Sequence, residues 1–329
     1  MNHISNVLSG LKVGDPINFQ NMALFPLLGG ESGVAGYLTL DEALANEAAE
    51  VTETSEEGSV PELRFLNKGD KPVFLLDGEE LIGAKQDRVL NLSILAPAGK
   101  DIIIPVSCVE SGRWRHKSAK FKSSPRTHFS KGRARNAENV SISLNECGNR
   151  RSDQGEVWDH ISAKSESLGS VSPTDAMGDV FKKHKASLGQ FVEHFVAADG
   201  QIGALFAING EIAGIDIFDN AETFAKLSSK LVRSYALDAI DEISPGSNQA
   251  SKEAAEMFLK EIEVADTVGF PAVGLGEDVR LTGNGVTGGA LIVEGKSIHL
   301  CAFPRIQEPD EGRGGQTAIT RASNRRRMH

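Results

Sequence analysis

Apolar positions fall into short runs over the first third of the chain and into three- and four-residue spacings further on, and this change of period predicts a change of element. From Val51 to Trp114 the runs, such as Pro72–Leu76, Val89–Leu95 and Ile102–Val109, are broken by Gly, Pro and Asp. These are strand signals, and their close spacing implies a sandwich- or barrel-like half. Asp77-Gly78, between Val73–Leu76 and Leu81–Ile82, reads as a hairpin turn. Ahead of this region, Thr39-Leu40-Asp41-Glu42 is a capping box that opens a short helix through about Ala49.

The second half is mixed. Val157–Leu168 has a helical pattern, and Ser172-Pro173-Thr174-Asp175 supplies a serine cap, a proline at the first helical position and an acid in the first turn. Met177, Val180, Phe181, Leu188, Phe191, Val192 and Phe195 then recur at helical spacing. Ile202–Ile208 and Glu211–Phe218, joined by Asn209-Gly210, form the clearest hairpin. Helices over about Ala221–Ile240 and Asn248–Val264 precede strands around Leu291–Val293 and Ile298–Phe303. The expected fold class is α+β: a strand-rich N-terminal half (1–150, with a basic loop), a mixed helix and hairpin half packed on it (151–304), and a disordered polar tail (305–329).

Composition narrows the functional classes. The chain has 329 residues, 40% of them apolar and 24% charged, which supplies a sizeable core and excludes disorder over most of its length. No apolar run approaches the roughly 18–20 residues of a membrane helix, and no membrane partner is expected. Three widely spaced cysteines, Cys108, Cys147 and Cys301, make neither a disulfide framework nor a zinc knuckle, and fit a cytoplasmic setting. The formal net charge of −10 argues against a dedicated nucleic-acid binder, but it is unevenly spread. Residues 1–66 hold two basic groups (Lys12, Arg64) against ten acidic ones, whereas residues 113–151 hold eleven basic groups against Glu138 and Glu146. Such an island points to an anionic ligand or to the acidic surface of a partner or second subunit; the plainer reading of Ser118–Lys131 is a solvated loop.

Familiar catalytic motifs are missing or misplaced. Gly283-Asn284-Gly285-Val286-Thr287-Gly288 spells a dinucleotide fingerprint, but a strand pattern follows where a helix must open. There is no H-E-x-x-H, G-x-S-x-G or Walker loop. No metal ligand set is assigned and no cofactor is named. His184 reads as a packed, hydrogen-bonded histidine and Cys108 as a small core residue. The denser polar signal is Asp77 to Arg88. If strand parity holds across Gly83, then Glu80, Gln86 and Arg88 share a side with Ile82, Leu90, Leu92 and Ile94, while Glu110 shares a side with Ile104, Val106 and Cys108. Ionisable groups on an apolar face are costly unless paired or lining a pocket. The alternatives are a structural ion pair or a bulge at Gly83 that flips the register.

Several of these segments together resemble a prokaryotic domain family named for its association with ADP-ribosylglycohydrolase and rhodanese/phosphatase-superfamily proteins. The resemblance is carried by Leu76–Gln86 with Arg88 and Asn91, by Ile104–Trp114, Ser152–Trp158 and Ser172–Met177, and by the hairpin Asn209–Phe218. It spans most of Pro61–Pro304 and implies a contextual link to NAD and ADP-ribose metabolism without a catalytic assignment. It marks Glu79, Glu80, Lys85, Gln86, Arg88, Glu110, Arg113, Asp153, Gln154 and Trp158 as motif positions. Residue chemistry adds roles: Arg88 and Arg113 as forks for a phosphate, Trp114 or Trp158 as a stacking surface, and Glu80 or Glu110 as ribose ligand or general base. Three functions stay open. They are binding or processing of an anionic nucleotide-type ligand related to ADP-ribose or NAD, a self-assembling homo-oligomer using strand edges, and a metal-dependent hydrolase in which Glu79, Glu80, Glu110 or Asp153 converge.

Overall fold

The computed structural model describes residues 3–29, 33–243, 249–283 and 285–305. The chain opens with α1 (His3–Ser9), β1 (Lys12–Val13), β2 (Ile17–Phe19), β3 (Met22–Leu28) and β4 (Leu38–Thr39). The capping box is present as read: Thr39 and Glu42 close it reciprocally, and α2 (Leu40–Ala45) follows. Then come β5 (Ala49–Glu53), β6 (Glu62–Asn67), β7 (Val73–Leu75), β8 (Glu79–Gly83) and β9 (Arg88–Leu90). β10 (Ile94–Ala96), β11 (Asp101–Cys108) and β12 (Phe121–Thr127) complete the strand-rich half. Helices α3 (Ser130–Cys147), α4 (Gln154–Ser167), α5 (Met177–Lys183) and α6 (Lys185–His194) lead to β13 (Gln201–Ile208) and β14 (Glu211–Phe218). The chain continues through α7 (Ala221–Asp241), α8 (Lys252–Glu263), β15 (Asp266–Pro271), β16 (Glu277–Thr282), β17 (Val286–Val293) and β18 (Lys296–Pro304). The fold is α+β.

Three sheets carry the architecture. The largest has nine strands in the order β1-β3-β13-β14-β18-β17-β16-β15, with β2 also on β3. Its β13–β14 hairpin turns through Asn209 and Gly210, both at positive φ, as the sequence predicts. One face packs Phe25, Leu205 and Ile215 against Ile4 of α1 and Phe258 and Ile262 of α8. The other packs Phe206 and Phe218 against Phe224, Leu231 and Tyr235 of α7. Because β1–β3 belong to this sheet, a cut near residue 150 does not separate the sheets. A second sheet, β12-β8-β9-β11-β6-β5, curls until its outer strands β5 and β12 touch. Val51, Phe65, Leu81, Leu90, Val106 and Phe121 fill its interior. Three short strands, β10-β7-β4, form the third sheet.

Several local expectations are corrected. Asp77-Gly78 is not a hairpin turn: β7 pairs with β4 and β10, whereas β8 pairs with β9 and β12, so the turn carries the chain from one sheet to another. The segment expected as a solvated loop holds β12 and the start of α3 instead, with Phe121, Thr127 and His128 buried. The Ser172-Pro173 start lies early: Ser172 Oγ accepts the Ala176 N–H at 2.9 Å, Asp175 takes φ 49°, and α5 begins at Met177. The single helix expected through Phe195 breaks at His184 into α5 and α6. β17 begins at Val286 and contains Gly288, so a strand rather than a helix follows the first glycines. Of the expected tail 305–329, only Arg305 lies within the described residues.

The sheets are locked together by buried charge. Arg133, fully buried on α3, donates from Nη2 to Asp77 Oδ1 at 2.5 Å and to Asp216 Oδ1 at 2.6 Å, and from Nη1 to Asp216 Oδ2 at 3.1 Å. Asp216 of β14 also accepts from the Tyr235 hydroxyl at 3.1 Å and lies 3.2 Å from His299 Nε2, whose Nδ1 is 2.9 Å from Ser93 Oγ. Burial alone would push the Asp216 carboxyl up, but the Arg133 charge and these donors hold it below the ordinary range. Removing the cation strands two buried carboxylates. Arg133→Met is therefore expected to cost about 3–5 kcal/mol in urea unfolding, and a loss below about 1 kcal/mol, the scale of an exposed pair, would overturn this account.

Candidate functional site

Glu79 to Gly83 run along β8 with side chains alternating between the two faces of the curled sheet. The ladder pairs Glu80 with Val89 and Leu81 with Arg88, so Glu80 and Arg88 lie on opposite faces. Shared parity across Gly83 is thus overturned. Gly83 takes φ 141°, a Cβ there would stand 2.7 Å from the Lys120 carbonyl, and Ala84 takes φ 37°. That turn shifts the register by one. Glu110 lies beyond the end of β11 and lines a cleft with Ile82 on the Glu80 side, away from the interior reached by Leu81 and Val106.

The other edge of β8 is bonded to β12, and here the ladder is broken: Ser123 faces Leu81 and Thr127 faces Glu79, four steps against two. The extra residues include Pro125, which cannot donate to a ladder, and Arg126, which the bulge turns outward. Arg126 Nε then donates to Glu80 Oε2 at 2.5 Å. The other oxygen, Oε1, is buried without a hydrogen-bond partner. Gly178 at the start of α5 stands over this pair; a Cβ there would meet Arg126 Nη2 at 2.6 Å and Glu80 Oε1 at 3.5 Å. Burial drives the Glu80 carboxyl above its ordinary range, against the opposing pull of the Arg126 charge.

Above the pair opens a cleft of about 680 Å³ between β8–β12 and α5–α6. Lys117, Arg126, Lys182, Lys185 and Arg233 contribute positive charge to its lining, and Pro125, Phe181 and Leu188 an apolar wall. Its acidic members are Asp87, Glu110 and Asp179. Glu110 is held by Arg113, whose Nε and Nη2 reach Glu110 Oε2 at 2.8 and 2.5 Å. Arg113 Nη1 also donates to the Ala84 carbonyl at 2.7 Å and Nη2 to Asp87 Oδ1 at 3.1 Å. Burial would raise the Glu110 carboxyl, but bonds from Arg113, Thr174 and the Asp87 N–H outweigh it and hold the group below the usual range. Arg113 is thus a clamp on the Gly83–Asp87 turn, with both ends of its guanidinium in use.

The remaining sequence candidates are spread over three other places. Glu79 is buried and paired with Lys230 of α7, which also reaches Asp41 at 2.8 Å and Ser123 Oγ at 3.0 Å. Lys85, Gln86 and Arg88 lie with Cys108 and Trp114 at one end of the curled sheet's interior. Gln154 uses its amide on the backbone of Cys108, accepting from the N–H at 2.8 Å and donating to the carbonyl at 2.9 Å. Asp153 is the N-cap of α4, and Trp158 sits half-buried on that helix. Glu79, Glu80 and Glu110 are each bonded to a different cation, so with Asp153 they form no common oxygen cage. Asp77, His299 and Cys301 do lie close enough to share a metal, but Asp77 already carries the Arg133 guanidinium. Arg126 belongs to the basic island without being singled out as a site residue, the proline inside the strand Phe121–Thr127 being its available signal, and Lys182, Lys185 and Arg233 carry no motif that marks them.

An α+β protein with a buried acid–arginine pair beneath a basic cleft is the class these features define. The chain belongs to the ARG and Rhodanese-Phosphatase-superfamily-associated Protein domain family, ARPP-1, whose model matches residues 10–303. No curated protein and no solved structure matches it. Among the described residues no helix is long and apolar enough to cross a membrane.

Arg126→Met isolates the role of charge at this floor. Without the cation, the folded-state pKa of Glu80 rises further above that of the unfolded chain, so stability is present below the unfolded value and lost as pH rises through the folded one. The expected loss in urea unfolding is about 3–5 kcal/mol at pH 8 and clearly less at pH 5. Equal losses at both pH values would overturn the pairing.

Proposed function

We propose that this protein binds an anionic nucleotide-type ligand, related to ADP-ribose or NAD, in the cleft under α5 and α6. The observation that carries the reading is Glu80, a fully buried carboxyl with one oxygen on Arg126 and the other free, below a basic opening. Phosphoryl groups match the lysines and arginines of the rim. Phe181, with Pro125 and Leu188, offers an apolar surface to a base. Glu80 does not itself line the cleft; it lies behind Arg126 and Gly178, which do, and holds Arg126 in place beneath the ligand. The association with ARG, the ADP-ribosylglycohydrolases, in the family's name supports ADP-ribose as the ligand context.

Binding to the folded state must raise its stability. A ligand with a Kd of about 10 μM, supplied at about 1 mM, adds roughly 2.7 kcal/mol. ADP-ribose, NAD or AMP is therefore expected to raise the Tm by several degrees, and Lys182→Glu with Lys185→Glu to weaken binding at least about tenfold. No stabilisation by any of the three would sink the proposal.

Self-assembly is a second reading, favoured by β15. This strand ends the nine-stranded sheet, is paired among the described residues with β16 alone, and is exposed along almost its whole length, Val268 included. An open edge of this kind takes a strand from a second copy. Light scattering is expected to give a dimer or larger species at low salt; a monomer at both low and high salt removes this reading.

A further inference from the structure

A second charged site lies on the opposite face of β8–β9 from the cleft. Arg88 projects from β9 into the end of the curled sheet with no exposed surface. Its Nη1 donates to Gln86 Oε1 at 3.3 Å, but Nε and Nη2 are buried and have no hydrogen-bond partner. Those two atoms form the edge of a guanidinium that takes a carboxylate or phosphoryl group in two parallel bonds. Leaving charged donors dry is expensive, so natural interiors rarely do it.

The surroundings are short of negative charge. Lys85 Nζ and Arg88 Cζ lie 5.4 and 5.8 Å from the centre of the same Trp114 ring. Cys108 gives its S–H to Gln86 Oε1 at 3.0 Å, and burial pushes its thiol up to about 11, so it stays neutral. Gln86 is occupied on its other side by the Glu110 carbonyl at 2.8 Å. Glu53 and, less strongly, Asp87 are carboxylates whose charge acts on Arg88; Glu53 Oε1 accepts the Lys85 backbone N–H at 3.2 Å and its Oε2 is buried and unpartnered. Lys85 Nζ donates to the Glu57 carbonyl at 2.5 Å and Asp87 is taken by Arg113, so among the described residues no carboxylate is hydrogen-bonded to Arg88. Trp114 covers the place and is itself 49% exposed, so its indole spans from the guanidinium to solvent.

We infer that the end of the curled sheet is an oxyanion site, in which Arg88 takes one carboxylate or phosphoryl group on its Nε–Nη2 edge while Trp114 packs over the rest of the ligand at the surface. Lys85 adds the second charge, and Glu53 sets a limit on affinity by competing for Arg88. This inference does not depend on the cleft, whose lining contains neither Arg88 nor Trp114.

Trp114 and Trp158 are the two tryptophans of the chain, so Trp158→Phe leaves Trp114 as the single reporter. In that background, inorganic phosphate and acetate are titrated separately at constant ionic strength while Trp114 emission is recorded. A saturable change with one or both is expected, with a midpoint below about 10 mM; the anion that saturates first identifies the chemistry. Arg88→Met is expected to abolish the change and Arg88→Lys, which keeps the charge but loses the fork, to weaken it about tenfold or more. Lys182→Glu with Lys185→Glu, which disables the cleft, leaves the Trp114 response intact. Should Arg88→Met fail to fold, Glu53→Gln decides, since removing the competing carboxylate must tighten binding several-fold. Flat emission with both anions, a response that survives Arg88→Met, or no tightening in Glu53→Gln overturns the site.

Discussion

One guanidinium holds this molecule in register with itself. Arg133 reaches from a helix into the space between two sheets and bonds there to Asp77, at the entry to β8, and to Asp216, in the middle of the large sheet. A buried ion pair is not in itself a large source of stability, because desolvation consumes most of the Coulomb energy. Its value is discriminating: any packing that slides one sheet past the other leaves three charges dry. Hydrophobic contact between Phe74 and Phe218 tolerates a small slip, whereas a bidentate pair does not.

Fixing Asp77 fixes the start of β8, and much of the chemistry follows from that strand. Adjacent residues of a strand face opposite ways, so Glu79, Glu80 and Leu81 are sent in turn to Lys230, to Arg126 and to the sheet interior. The Gly83–Asp87 turn, tied down by Arg113, then returns the chain as β9 with Arg88 facing inward. A single hairpin thereby sends Glu80 to one face and Glu79 and Arg88 to the other. The cleft and the Arg88 site share a wall without sharing a side chain.

Much of this was legible in the sequence, and the failures have physical causes. The family, the fold class, the capping box and the Asn209-Gly210 hairpin rest on local patterns that tertiary structure did not override. The parity argument failed at Gly83 because a positive φ leaves no mark in hydrophobic periodicity. Asp77-Gly78 misled for a related reason: a tight turn specifies a reversal, not which strands pair afterwards. The basic island was divided by burial in a way charge counting does not see. Arg133 became an internal anchor, Arg113 a clamp, and Arg126 the partner of an acid forty-six positions upstream. Pairings of that sequence separation are set by topology, which a one-dimensional pattern does not encode.

The nine-stranded sheet also has a consequence for how the protein is made. Six of the seven residues of β3 are buried, and one of its edges pairs with β13, from Met22 with Ile208 to Leu28 with Gln201. Roughly 180 residues of synthesis separate the two strands, which at about 5–20 residues per second amounts to about 10–35 s on the ribosome. Throughout that interval β1 and β2 cover only the opposite edge. The nascent chain therefore carries an apolar, half-paired strand long before its partner exists, and its yield in a cell depends on what shields β3 while the rest is being translated.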